Sequence, residues 1–186
     1  QADGHSHTVE KYSKFAYSSK FGFSIMRSNL TLAECAPDST LVFEVYGYFF
    51  VKDVIEPQFT VSEEKLVFSW TPIKGIHVRT TIKPTKTGHV RTHEITSDVN
   101  CRAYDCGFAL SSDDRQPFCT AEEGGSSYME NQDGYCRVKA VKGGGTGQIL
   151  IPDPNTNLMH AKTRIPMAAY EIRRGTQTIQ TQVDYL

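Results

Sequence analysis

The chain has 186 residues, the size of one ordinary domain, with 20 lysines and arginines against 21 aspartates and glutamates. That near balance gives no cationic excess of the kind a nucleic-acid surface needs. The most apolar run, 41–51, contains Glu44 and falls well short of the ~20 residues that cross a bilayer, so no membrane segment is expected.

The chain starts with Gln1 and enters a motif at once, so it is read as a fragment or processed piece of a longer protein. The opening stretch is Asp3-Gly-His-Ser-His-Thr-Val-Glu-Lys-Tyr-Ser-Lys-Phe-Ala-Tyr-Ser-Ser-Lys-Phe-Gly-Phe-Ser24. His5 and His7 share a face if it is extended. Two imidazoles do not complete a tetrahedral metal site, and no metal is expected. A histidine that titrates near neutrality, beside the phenol of Tyr12 or Tyr17, suits proton transfer at a sugar ring. Lys11, Lys14, Lys20 and Arg27 alternate with Tyr12, Phe15, Tyr17 and Phe21, offering cations for a uronate carboxylate and flat faces for its ring. The same residues also make a solvated strand with snorkelling lysines, or a polar loop closing a sheet.

Downstream the pattern is that of strands. Residues 41–51 and 65–70 are rich in β-branched and aromatic types. In 75–83, Ile76, Val78, Thr80 and Ile82 alternate with His77, Arg79 and Thr81, and Pro84 stops the run. Residues 89–96 are the hairpin partner across Lys86-Thr87-Gly88, dividing into His89, Arg91, His93 and Ile95 against Val90, Thr92 and Glu94. His77, Arg79, His89, Arg91 and His93 are read together as the wet face of an edge hairpin. Further strands are expected over 101–110, 148–151, 164–170 and 178–185. Residues 126–130 and 135–141 form a pair around Asp133-Gly134.

Helical periodicity is absent, and many short strands between turns imply an all-β antiparallel sandwich forming a single domain over 1–186. The carboxylate pairs Glu63-Glu64, Asp113-Asp114 and Glu122-Glu123 are adjacent in sequence and read as solvated turns. A glycosidase needs two carboxyls converging from different elements, and the chain presents no such pair. The glycine run 143–147 lacks the lysine of a phosphate loop. Five cysteines without pattern favour reduced thiols and a cytoplasmic setting, while the sequon Asn29-Leu30-Thr31 would suit secretion.

The opening stretch, followed in order by 68–75 (Phe-Ser-Trp-Thr-Pro-Ile-Lys-Gly), 89–94 (His-Val-Arg-Thr-His-Glu) and 107–110 (Gly-Phe-Ala-Leu), resembles the C-terminal β domain of the heparinase II/III-like family of bacteria and fungi. Members of that family resemble β-glucuronidase-type glycoside hydrolases. The resemblance implies a complete protein with an N-terminal (α/α)6 toroid that holds the substrate cleft and most catalytic residues. It further implies that His7 and Tyr12 act in catalysis and that His5, Glu10, Lys11, Lys14 and Tyr17 contact substrate. The implied function is a glycoside hydrolase acting on glucuronide glycans. The alternatives are a polysaccharide lyase working by β-elimination and a non-catalytic module that binds glycan or braces the toroid. The implied partners are an acidic glycan and the toroid, without a cofactor.

Overall fold

The computed structural model describes residues 32, 41–51, 59–61, 64–107, 118–122, 126–130, 135–150 and 164–185. The opening stretch, with His5, His7, Glu10, Lys11, Tyr12, Lys14 and Tyr17, lies outside the described residues, as do the 151–163 segment and the Asp113-Asp114 loop.

The apolar run 41–51 is a hairpin rather than one strand. β1 (Leu41–Val45) turns at Tyr46 and Gly47 into β2 (Tyr48–Val51). Both turn residues have positive φ, 51° and 82°, the conformation a two-residue hairpin loop requires. A short β3 (Phe59–Val61) then pairs with β4 (Leu66–Ile73), which continues past Pro72 because the register slips between Trp70 and Ile73. β5 (Ile76–Pro84) and β6 (Gly88–Ser97) follow as the expected hairpin. β7 (Cys101–Cys106), β8 (Phe118–Glu122), β9 (Ser126–Glu130), β10 (Tyr135–Lys142) and β11 (Thr146–Leu150) come next. β12 (Ile165–Ile172) and β13 (Gly175–Tyr185) complete the order.

Every pairing is antiparallel, and the strands form two sheets. Five run in the order β11-β12-β7-β1-β2, and eight in the order β3-β4-β5-β6-β13-β10-β9-β8. The expected all-β antiparallel sandwich is therefore the fold. Its main core joins Leu41, Phe43 and Val45 of β1 to Trp70, Val78, Ile95, Ile179 and Val183 of the larger sheet. The Phe43 and Trp70 rings meet edge to face at 5.9 Å. The other face of the smaller sheet is also apolar: Val42, Tyr104, Cys106, Ile165 and Met167 form a second cluster with Leu32 and Phe49.

Alternation decides which residues enter the core. Ile76, Val78 and Thr80 are buried while His77 and Arg79 are exposed. On β6, Arg91, His93 and Ile95 point inward with them. The grouping of His77, Arg79, His89, Arg91 and His93 on one wet face is corrected here. β6 is no edge strand: it lies between β5 and β13, and the five residues divide between opposite faces. Arg79 stays outside, 3.9 Å from Glu94 on the neighbouring strand.

Candidate functional site

Charged groups are rarely buried unless they are paired and hydrogen-bonded. Those that β6 sends inward meet both conditions. Arg91 Nη1 donates to Asp105 Oδ1 of β7 at 2.7 Å and to the Cys106 carbonyl at 2.6 Å. Asp105 Oδ2 lies 3.1 Å from His93 Nε2. The remaining imidazole nitrogen, Nδ1, lies 2.9 Å from Thr80 Oγ1, and Trp70 Nε1 donates to that same oxygen at 2.9 Å. A continuous donor chain follows: the indole gives to the hydroxyl, the hydroxyl to Nδ1, and Nε2–H to the carboxylate. Tyr170 adds a further strut, with its hydroxyl donating to the Gln180 carbonyl at 3.0 Å and sitting 2.8 Å from Thr181 Oγ1. These residues come from both sheets, so the network is a polar rivet through an apolar core.

Burial alone would raise the Asp105 carboxyl, but Arg91, His93 and the Thr181 hydroxyl hold it down to about 2. It is an anion at neutral pH, compensated by Arg91.

The network reaches the surface at His89. Arg91 Nε donates to His89 Nε2 at 2.9 Å, and the ring lies 5.8 Å from that of Tyr185. Burial and the adjacent guanidinium lower the His89 pKa to about 4, with Asp105 and Asp184 opposing the shift. The ring is therefore neutral at physiological pH. Because Nε2 accepts, the proton sits on Nδ1, which has no hydrogen-bond partner among the described residues. His89 thus presents one N–H donor, oriented from behind by an arginine that a buried carboxylate fixes. β1 begins opposite Asp105, so the chain enters the smaller sheet at this same end of the sandwich.

The site residues named from sequence all lie outside the described residues. The sequence pattern hides this group, because Arg91 and His93 look like a solvent face. The available signal was their phase: they share it with Ile95, the apolar anchor of β6.

Two antiparallel sheets closed over a buried charge network define a large β-sandwich module. Solved structures with a similar fold include heparan sulfate lyase HepC from Pedobacter heparinus, with a TM-score of 0.56 at 10% identity over 81% of this chain and 24% of HepC. A 4-alpha-glucanotransferase from Thermococcus litoralis matches with a TM-score of 0.54 at 9% identity, over 78% of this chain and 27% of its own. An Escherichia coli K12 protein provisionally called an aldose 1-epimerase matches with a TM-score of 0.53 at 9% identity, over 82% and 86%. At these identities the likeness is one of fold. The chain spans about a quarter of the length of HepC. No curated protein sequence matches it. The sequence gives the narrower assignment: residues 5–183 match the DUF2264 C-terminal domain, and the chain belongs to that family.

Proposed function

We propose that residues 1–186 form one β-sandwich domain, the C-terminal part of a larger enzyme that acts on uronic-acid-containing glycans. The observation that carries this reading is His89, a neutral N–H donor at the end of the sandwich, backed by the buried Arg91–Asp105 pair. A fixed donor beside an aromatic ring suits a sugar oxygen and the sugar's apolar face. The shared fold with HepC and with the glucanotransferase supports a glycan ligand. In this reading an N-terminal (α/α)6 toroid forms most of the pocket, as expected for a heparinase II/III-like protein. His7 and Tyr12 transfer the proton, and His5, Glu10, Lys11, Lys14 and Tyr17 hold the acidic sugar.

Elimination is the favoured reaction. Of the two carboxyls near the His89–Arg91 pair, Asp105 is buried and ionised and cannot protonate a leaving oxygen as a hydrolase acid must, while Asp184 is partly exposed. HepC is by its name a lyase. Hydrolysis is the second reading, favoured by the sequence resemblance to β-glucuronidase-type enzymes, with Asp184 the partly exposed carboxyl at the His89 end.

The test is turnover of uronate oligosaccharides by the full-length protein. An ultraviolet-absorbing unsaturated uronate marks elimination, a saturated product marks hydrolysis, and binding without cleavage marks a non-catalytic module. His7→Ala and Tyr12→Phe should each lower turnover by about 100-fold or more, the range of a lost proton-transfer group, with Tm unchanged. Unchanged kinetics in both removes the opening stretch from catalysis.

A further inference from the structure

The end of the sandwich away from His89 carries a different group of residues. The β1–β2 hairpin ends in Tyr46, which is 82% exposed, followed by Tyr48, which is 49% exposed. Tyr46 is also the one non-glycine with positive φ among the described residues. A two-residue loop of this kind favours asparagine or glycine there, and a bulky side chain is disfavoured. Tyrosine at this position therefore gains nothing from the turn, and the Tyr46 ring has no partner among the described residues. Local stability does not account for it.

Register places basic side chains beside it. Glu44 lies opposite Arg102 on β7, and Arg102 lies opposite Glu171 on β12. Two residues beyond that row come Tyr46 on the β1 side and Arg173 on the β12 side. Two strand intervals separate them, about 10 Å. The Arg173-Arg174 turn is held in shape. Arg174 N donates to Asn100 Oδ1 at 2.9 Å, and Gln177 Nε2 donates to the Arg173 carbonyl at 2.7 Å. Arg102 is neutralised by Glu171 at 2.7 Å, and Glu44 accepts from the Tyr104 hydroxyl at 2.6 Å. Lys74, Arg173 and Arg174 are all exposed at this end, against Asp98 and the Glu44 carboxylate.

We propose that Tyr46 at the hairpin tip and the Arg173-Arg174 turn form a docking surface for an acidic oligosaccharide, separate from the His89 end. The Tyr46 phenol ring stacks on a pyranose face, and the guanidinium groups take the carboxylates of sugars further along the chain. The spacing suits a ligand in which ring faces and negative charges recur every one or two residues. Such a surface would hold a polymer while the other end of the sandwich meets the bond being cut. The choice of ligand class rests on the function proposed above; the surface itself rests on the hairpin and the register.

The test measures binding of the chain to a hexasaccharide of alternating glucuronate and N-acetylglucosamine, with neutral chitohexaose as control. Wild type should bind the acidic sugar and not the neutral one. Tyr46→Asn and the double change R173Q/R174Q should each weaken binding at least tenfold. Tyr46→Asn supplies the residue the turn prefers, so its Tm should be no lower than wild type, which separates lost binding from lost fold. Tyr46→Asn binding as well as wild type, or equal affinity for chitohexaose, overturns the proposal. Binding lost in His89→Ala but kept in Tyr46→Asn also overturns the docking surface while sustaining the glycan reading. If wild type binds neither sugar the docking surface falls, and turnover by the full-length protein still tests the wider reading independently.

Discussion

Asp105 is the residue on which the polar core depends. Replacing it with asparagine keeps the shape but leaves Arg91 buried without its anion, a loss of roughly 3–5 kcal/mol for pairs of this kind. Asp105→Asn should therefore shift the urea midpoint strongly. Pairing it with Arg91→Met should restore part of the loss, because the double change removes both charges from the core. The same residues set the acid response. Asp105 is held below its ordinary value, so its contribution is complete above pH ~4 and is lost as pH falls towards about 2. His89 is also lowered, to about 4, so its stabilising neutral form is complete above pH 6.5 and is lost between 6.5 and about 4. Stability measured by urea unfolding should fall in two stages on acidification. His89→Gln should flatten the upper stage, and Asp105→Asn the lower.

Among the elements, β6 is the most constrained, because it pairs along its length with β5 and β13 and carries the network on its inner face. Its first residue has no room for a side chain: a Cβ on Gly88 would run into the backbone carbonyl of Val183. Gly88→Ala should cost about 1–3 kcal/mol, the range for forced overpacking, read as a lower Tm with little change in the circular dichroism of the folded state. Much at this scale was legible in the sequence. The alternation of 76–82 gave both strand and face, and Asp133-Gly134 marked the junction of β9 and β10. The β1–β2 hairpin was not legible, because Tyr46-Gly47 is an unusual turn pair inside an unbroken apolar run. Nor was β3, three residues long and too brief for periodicity to register, nor β8, whose Phe-Cys-Thr-Ala-Glu shows no clean alternation. The inner placement of Arg91 and His93 was hidden for another reason. Their compensating partner Asp105 sits on a strand of the opposite sheet, and no local pattern in the chain announces a contact made across the core.

For the whole molecule, the decisive fact is where the last strand goes. β13 lies in the interior of the eight-stranded sheet, pairing with β6 on one side and β10 on the other. Without it the larger sheet is two pieces, β3 to β6 and β8 to β10, each with a bare edge. A chain truncated before Gly175 should therefore show no cooperative thermal transition, whereas one shortened only after Tyr185 should unfold like the parent. The long separation between partners also predicts slow folding, on the millisecond-to-second scale seen for β-sandwiches. During synthesis the delay is longer. At ~5–20 residues per second, the nascent chain spends on the order of ten seconds between releasing β6 and releasing its partner β13. Throughout that interval the exposed flank of β6 is open to pairing with any neighbouring chain. High-level production of this protein should thus be limited by aggregation at the ribosome exit, and slower translation or a holding chaperone should raise the soluble yield more than stabilising the finished fold.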